Sequence, residues 1–340
     1  MAEDFKDPRD VDWHPRRRLR FVGHADAEKR LLLAAQSEKL HHAWLLTGPR
    51  GIGKATLAYR FARYLSQPRA ERRSASLDVE PESTTARLLA AGAHPNIHVL
   101  ERKVDTRNKR LKTEIAVDDA RLAIEFISRT SATGGWRVII VDSADDLNTA
   151  SANALLKVIE EPPDRSIFLL LCHRPGSLMR TIRSRCLRLA LDPLDAPSTL
   201  RVLQDLPSEA VGADHGALAQ ATDLARGSPG RALDLIGSKG AAVFADFRSR
   251  SKLSPATCVE IAAALGGRAS AEDVAIFMEL LTGWLAEQAR AAGLANRGVA
   301  LAEAHDDIVY SLRQADALNL ERRQTVTDAL MRIDEALKAS

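Results

Sequence analysis

The chain has 340 residues, a length typical of two or three domains. Hydrophobic residues at 45% and charged residues at 27% indicate an ordinary globular protein, and a net charge of +3 gives no global sign of nucleic-acid binding. The sequence has no apolar run of the ~18 residues that a membrane-spanning helix needs, and its N-terminus lacks the apolar core of a secretory signal. A cytoplasmic location is therefore expected.

The first half of the chain alternates between predicted helices and predicted strands. An amphipathic pattern predicts a helix over residues 25–40, and a polar stretch rich in small residues at 66–92 predicts a surface insertion. Short, mainly apolar strands are predicted at residues 43–47, 97–101, 137–142, 167–172 and 186–191. Such alternation is typical of a parallel sheet that is covered by helices on both faces.

Two further helices are predicted between these strands. One covers about residues 117–130, and the other covers residues 151–161, behind Thr149 and Ser151 as candidate caps. The basic stretch at residues 102–112 has two readings that the sequence leaves open. It is either a solvated loop or a surface that contacts nucleic-acid phosphates.

After Pro193 the pattern is helical to the end of the chain. We expect three domains: a nucleotide-binding type of domain at residues 1–192, a small helical lid at 193–240, and a helical domain at 241–340. The three cysteines are scattered and form no C-x-x-C pair. Neither a disulfide framework nor a metal site is therefore expected.

The stretch TGPRGIGKATLAYR, residues 47–60, has the spacing of a phosphate-binding loop, placed between a strand and a helix. Gly48, Gly51 and Gly53 would let the backbone approach an anion closely. Lys54 stands where a lysine neutralises charge on the β and γ phosphates. The strand and helix on either side make this a credible nucleotide site rather than a chance match.

Two positions that ATP hydrolysis requires carry unsuitable residues. Ala55 stands where a hydroxyl would bind magnesium, and Thr56 does not replace it, because one helical step turns a side chain by roughly 100°. The strand RVIIVD supplies Asp142 as a second magnesium ligand, but Ser143 follows it where a water-activating glutamate is needed. We expect a degenerate site that does not hydrolyse ATP efficiently.

Two arginines are candidates for phosphate contacts. Arg185 lies in TIRSRC, residues 181–186, where an exposed arginine at the start of a strand can reach the γ-phosphate bound by a neighbouring subunit. Arg231 lies in GSPGR at the start of a helix, from which it could reach back to a phosphate. The alternative for both is an ordinary arginine exposed to solvent.

Together, several motifs resemble bacterial DNA polymerase III clamp-loader subunits, which are AAA+ proteins. These motifs are FVGH, HHAWLLTGPRGIGKATLA, VIIVDSAD, NALLKVIEEPP, HRPGSLMRTIRSRC and GSPGRAL, and they span about residues 21–235. The combination of NALLK…EEPP with SRC is highly specific. Within the family the pattern is most similar to the delta-prime type, a rigid stator that carries the SRC arginine but does not hydrolyse ATP.

The resemblance implies an α/β P-loop AAA+ parallel-sheet domain, a small helical lid, and an all-helical C-terminal collar that mediates oligomerisation. It implies that Arg185 is an arginine finger acting on an adjacent gamma/tau subunit, that Arg231 is the sensor-2 arginine, and that Asp142 is the Walker B aspartate. Cys172 and His173 fall in the region of sensor 1.

The implied partners are the gamma/tau and delta subunits, the beta sliding clamp, and primer-template DNA reached through the complex. DNA-directed DNA polymerase activity would belong to the whole assembly, in chromosome replication.

The sequence departs from the family pattern in two places. Many relatives carry four zinc-binding cysteines after the phosphate-loop helix, whereas residues 66–92 contain none, so no zinc is expected. Delta-prime proteins often lose the phosphate loop, whereas Gly53 and Lys54 are present here, which leaves open a weakly or structurally bound ATP or ADP. The alternatives are an active gamma/tau-type ATPase and an unrelated P-loop enzyme such as a kinase, which would leave SRC and EEPP unexplained.

Overall fold

The computed structural model describes most of the chain, in nine stretches. These are residues 11–37, 40–105, 111–129, 135–212, 214–250, 252–266, 271–293, 296–318 and 322–338. Two compact units are present, one formed by Met1–Ala213 with Ala225–Arg231 and the other by Asp214–Leu224 with Ala232–Ser340. The division into three domains stays a prediction.

The first unit is built on a parallel sheet of five strands, and all five strands that the sequence predicts are confirmed. The strands are β1 Ala43–Thr47, β2 Ile97–Glu101, β3 Arg137–Asp142, β4 Ser166–Cys172 and β5 Leu187–Ala190. Their order across the sheet is β2-β3-β4-β1-β5, so β1 lies between β4 and β5. All carboxyl ends therefore meet at one end of the sheet.

Eight helices accompany this sheet in the described part of the first unit. They are α1 Ala25–Gln36, α2 Lys54–Ser66, α3 Thr84–Ala90, α4 Val117–Ser128, α5 Thr149–Glu160, α6 Arg180–Arg183, α7 Ala196–Gln204 and α8 Ser208–Val211. Two 3-10 turns, Arg69–Glu71 and Ala144–Asp146, complete the set. The alternation of strand and helix that the sequence predicts is thus confirmed.

The strands are continuously apolar because both faces of the sheet are buried. Trp44 and Leu46 of β1 pack with α1 and α2 on one face, while Leu45 packs with α4 and α5 on the other. Every residue of β4 is buried. The two layers of helices fix the ends of β1 and β3, from which the candidate site is built.

Two helix boundaries differ from the sequence-based expectation. Helix α1 ends at Gln36 rather than at residue 40, because Ser37 has extended backbone angles and its hydroxyl donates to Ala34 O. Helix α5 is capped by Asn148, whose Oδ1 accepts from Ser151 N at 2.9 Å, so neither Thr149 nor Ser151 is the cap. The predicted end of the helix at residue 130 lies outside the described residues.

The segment 66–92 is more than the surface insertion that its polar composition suggests. Leu77 and Leu89 are buried in the core against α2. Arg60 of α2 also holds the segment, through a 2.6 Å ion pair with Asp78. The sparse apolar residues of this segment therefore anchor it to the sheet domain.

The second unit is helical, which confirms the pattern predicted after Pro193. Its helices are α9 His215–Leu224, α10 Pro229–Leu235, α11 Lys239–Ser249, α12 Pro255–Ala264, α13 Ala271–Ala292, α14 Asn296–Leu318 and α15 Arg322–Lys338, of which α10 begins in the first unit. Phe247 of α11 meets Trp284 of α13 edge to face, with ring centroids 5.1 Å apart. Among the described residues, none of the helices has the length and apolar character needed to cross a membrane.

Candidate functional site

The phosphate-loop sequence forms the connection between β1 and α2. Strand β1 ends at Thr47, and α2 begins at Lys54. Gly51 and Gly53 have φ angles of +77° and +106°, and Gly48 has a φ of +150°. Residues with a Cβ rarely adopt these angles. The backbone path of the loop therefore requires the glycines that the sequence places there.

Lys54 lies buried at the first position of α2, with its side chain directed along the loop. Its Nζ donates to Gly48 O and to Pro49 O, both at 2.7 Å. Burial lowers the pKa of Lys54 to about 8, against the attraction of Asp142 and Asp145. The side chain thus still carries its charge at neutral pH, inside the loop whose amides would face a phosphate.

The positions that would bind magnesium fit a metal poorly. Ala55 packs against the hydrophobic core and has no oxygen to offer, and Thr56 follows it one helical step further on. In the part of the chain that the structure describes, no group of three or more His, Cys, Asp or Glu side chains is arranged to hold a metal ion. The loop offers Lys54 and its backbone amides to phosphates, but position 55 offers no side-chain oxygen to a magnesium ion.

Asp142 lies at the carboxyl end of β3, in register with Glu101 of β2. Burial, together with repulsion by Glu101, raises the pKa of Asp142 to about 6, although Lys54 opposes the shift. Lys54 and Asp142 therefore lie close enough to influence each other's ionisation. Ionising Asp142 therefore costs more free energy than ionising an exposed aspartate, because of its burial and its acidic neighbours Glu101 and Asp146.

The residue after Asp142 provides no general base. Ser143 is buried. Asp145 is held by the segment after β4, because it accepts from His173 N at 2.6 Å and from Arg174 N at 2.8 Å. Burial alone would raise the pKa of Asp145, but these backbone hydrogen bonds outweigh it and lower the pKa. Asp145 therefore anchors the end of β4 and does not replace the missing glutamate.

The GSPGR segment packs directly on the phosphate loop. Gly230 N donates to Gly51 O at 2.8 Å, and the Ser228 hydroxyl donates to Arg50 O at 2.6 Å. Arg231 follows immediately, at the edge of the first unit. The sequence pointed to Arg231 but not to Ser228, whose hydrogen bond fastens the segment to the loop.

The FVGH motif, residues 21–24, also borders the loop, a contact that the sequence alone did not predict. The His24 ring lies with Nε2 3.0 Å from Ile52 O. Phe21 lies next to Gly53, where an added Cβ would be 3.4 Å from its ring. These two residues line the loop and were not among the predicted site residues. Their position in the FVGH motif, just before α1, was the sequence feature that could have identified them.

Arg185 lies at the other end of the sheet. It precedes β5, whose Leu187 pairs with Trp44 and whose Ala190 pairs with Thr47. Three residues of strand span about 10 Å, so Arg185 lies at least that far from the loop that starts after Thr47. Its side chain forms a 2.7 Å ion pair with Glu160 at the end of α5. The structure therefore does not bring Arg185 to the phosphate loop of its own chain.

Two of the three described cations of the basic stretch at 102–112 are paired with acidic residues, and the third, Lys112, is exposed. Arg102 contacts Asp146 at 3.0 Å, and Lys103 contacts Asp119. Residues 106–110 lie outside the described part of the chain. The ion pairs favour the solvated-loop reading for Arg102 and Lys103, and both readings stay open for the rest of the stretch.

Comparison with known sequences identifies the family. The profile described as "DNA polymerase III, delta subunit" matches residues 23–195, about half of the chain. The chain belongs to this DNA polymerase III delta subunit family. The match includes the phosphate loop, Asp142 and Arg185, and it ends before Arg231.

Three proteins similar to this delta subunit family member are named delta' or tau. DNA polymerase III subunit delta' of Pseudomonas aeruginosa is 38% identical over 174 residues, which cover 50% of this chain and 50% of the relative. The delta' subunit of Escherichia coli K12 is 34% identical over 62% of this chain and 59% of the relative. DNA polymerase III subunit tau of Escherichia coli K12 is 30% identical over 58% of this chain and 29% of the relative. The matches thus span about half the length of the delta' relatives.

The raised pKa of Asp142 predicts that the stability of the folded protein depends on pH. With its pKa raised from 3.8 to about 6, the folded protein binds more protons than the unfolded chain between about pH 4 and pH 6. The free energy of unfolding therefore falls as the pH rises through this window, by at most about 3 kcal/mol. Urea unfolding at several pH values should show this slope in the wild type and not in Asp142→Asn.

The variant Asp164→Asn, at an exposed position, provides the control and should keep the wild-type profile. Equal slopes in the wild type and Asp142→Asn would show that the pKa of Asp142 is not raised in the folded protein.

Proposed function

We propose that the chain is the delta-prime subunit of the DNA polymerase III clamp loader, a non-hydrolysing stator that helps to load the sliding clamp onto primed DNA. Membership of the delta subunit family and the similarity to proteins named delta' support this role. The main support for the absence of ATP hydrolysis is that a well-formed phosphate loop is combined with Ala55 and Ser143. Ala55 lacks the hydroxyl that magnesium binding needs at its position, and Ser143 lacks the carboxylate that water activation needs.

The nucleotide site keeps a binding role at most. Its glycine backbone and Lys54 suit phosphates, so ATP or ADP binds weakly or as a structural ligand, and no cofactor is required. Binding depends little on magnesium, because Ala55 supplies no ligand. Gly48, Gly51, Gly53, Lys54, Thr56, Asp142 and Arg231 form this degenerate site, and no zinc is involved.

Arg185 acts outside its own chain. Its place at the amino end of β5, away from the loop, suits an arginine finger that reaches the ATP bound by an adjacent gamma/tau subunit. The other partners are the delta subunit, the beta sliding clamp, and primer-template DNA held by the complex. The assembly acts in the cytoplasm as part of the DNA polymerase III holoenzyme.

A catalytically active gamma/tau-type subunit is the second candidate. The similarity to a protein named tau and the presence of Lys54 favour it. Ala55, Ser143 and the engagement of Asp145 by backbone amides weigh against it. These features make the delta-prime role the better supported of the two.

Reconstitution with and without this chain tests the proposed role. The loader is assembled from gamma/tau and delta subunits of the same organism, and clamp loading onto primed DNA is measured by clamp retention on the DNA. Omission of the chain is expected to abolish ATP-dependent loading, and adding it back should restore loading. Full loading without the chain would reject the role.

A further inference from the structure

Two motifs that are separate in the sequence are joined by one ion pair. Glu160, in EEPP, is the last residue of α5, and Arg185, in SRC, follows α6. Arg185 Nη2 lies 2.7 Å from Glu160 Oε1. Because this pair lies at the end of the sheet opposite the phosphate loop, it plays no part in the nucleotide site of its own chain.

The position of Glu160 is fixed by its surroundings. Ile159, the preceding residue, is buried in the core. The N–H of Glu161 donates to Lys157 O and closes the helix, and Pro162-Pro163 prevent its continuation. The carboxylate of Glu160 therefore projects from a well-anchored helix end.

The guanidinium of Arg185 is oriented by more than one contact. Besides the ion pair, its Nη1 donates to Thr181 O at 2.9 Å and lies 3.5 Å from Ser184 Oγ. A guanidinium has five N–H donors in one plane, and these contacts fix that plane without using every donor. The side chains of Arg185 and Glu160 are 39% and 40% exposed, so the group remains accessible to a neighbouring subunit.

We propose that Glu160 is a positioning residue for Arg185. It holds the guanidinium in the orientation in which the remaining donors meet the terminal phosphate bound by an adjacent subunit. The inference rests on the proposed role of Arg185 in trans, and it adds a residue on which that role depends. An arginine that is already oriented loses less conformational freedom when it contacts the phosphate, which favours the transition state of hydrolysis.

A purely stabilising role explains the pair poorly. Ion pairs this exposed add little to folding stability. Helices α5 and α6 are already held on the sheet by Ile159 and Ile182, both of which are buried. Loss of Glu160 should therefore leave the fold intact and change the activity of the complex.

The test measures ATP hydrolysis by the reconstituted complex with four versions of this chain: wild type, Glu160→Ala, Arg185→Ala and the double variant. Glu160→Ala is expected to lower kcat roughly 10-fold and to leave KM for ATP within about twofold of wild type. Glu160→Gln, whose amide oxygen can still accept from Arg185, should recover part of the rate. Glu161→Ala is the matched control and should behave as wild type.

In the Arg185→Ala background, removal of Glu160 should have no further effect, because its action passes through Arg185. The inference fails if Glu160→Ala lowers the rate by the same factor in both backgrounds. It also fails if Glu160→Ala has no effect while Arg185→Ala does. If Arg185→Ala itself leaves the rate unchanged, the trans role is wrong, and this inference is rejected together with it.

Discussion

Replacing Arg185 with alanine is expected to lower ATP hydrolysis by the assembled clamp loader about 10³-fold or more at the site that this subunit faces. An arginine finger stabilises charge that develops on the transferring phosphate, and Arg185 lies just before the amino end of β5. Loss of the partly exposed guanidinium should leave folding intact. Single-turnover hydrolysis in the reconstituted complex separates this site from the others.

Arg183→Ala is the matched control for this experiment. Arg183 is the last residue of α6, two residues before Arg185, and its Nη1 donates to Pro175 O of its own chain at 2.8 Å. Its removal should change the rate little. An Arg185→Ala complex that hydrolyses ATP at the wild-type rate would show that this arginine contacts no neighbouring nucleotide.

Gly51→Ala is expected to destabilise the protein by about 3 kcal/mol. Gly51 has a φ of +77°, which a residue with a Cβ adopts only with strain. An added Cβ would also lie 2.7 Å from Arg231 N and 2.8 Å from Ser228 Oγ. The substitution should therefore push the GSPGR segment off the phosphate loop and break the hydrogen bond from Gly230 N to Gly51 O.

The free energy of unfolding from urea titration measures this effect, and comparison with Gly237→Ala isolates its steric part. Gly237 has a similar φ of +73°, but nothing lies within 4 Å of its Cβ position. Gly237→Ala should lose only about 1 kcal/mol, the part that comes from backbone strain. Equal losses in the two variants would mean that Gly51 does not hold the GSPGR segment.

The sheet was predictable from the sequence because its strands are buried on both faces. Residues such as Leu45 and Ile139 belong to continuous apolar runs, and such runs are buried when a parallel sheet is covered by helices on both faces. The helix ends were less predictable, since they depend on local hydrogen bonds. Asn148 caps α5 through a single contact to Ser151 N, for which Thr149 was an equally suitable residue by composition.

The phosphate loop was predictable from the spacing of its residues, but the contacts around the loop were not. The spacing around Lys54 indicated a phosphate loop because each glycine answers a steric requirement of the backbone. The sequence could not show that Asp145 is engaged by the amides of His173 and Arg174, because this contact joins segments that meet only across the sheet. The pairing of Glu160 with Arg185 was out of reach for the same reason.

Phosphate release by the isolated chain, supplied with magnesium and ATP, tests the central claim most directly. Ala55 and Ser143 leave the site without a second magnesium ligand and without a general base, so the account predicts no release above that of Lys54→Ala, with or without DNA. Steady turnover that Lys54→Ala abolishes would contradict it, because the phosphate loop would then belong to a working ATPase.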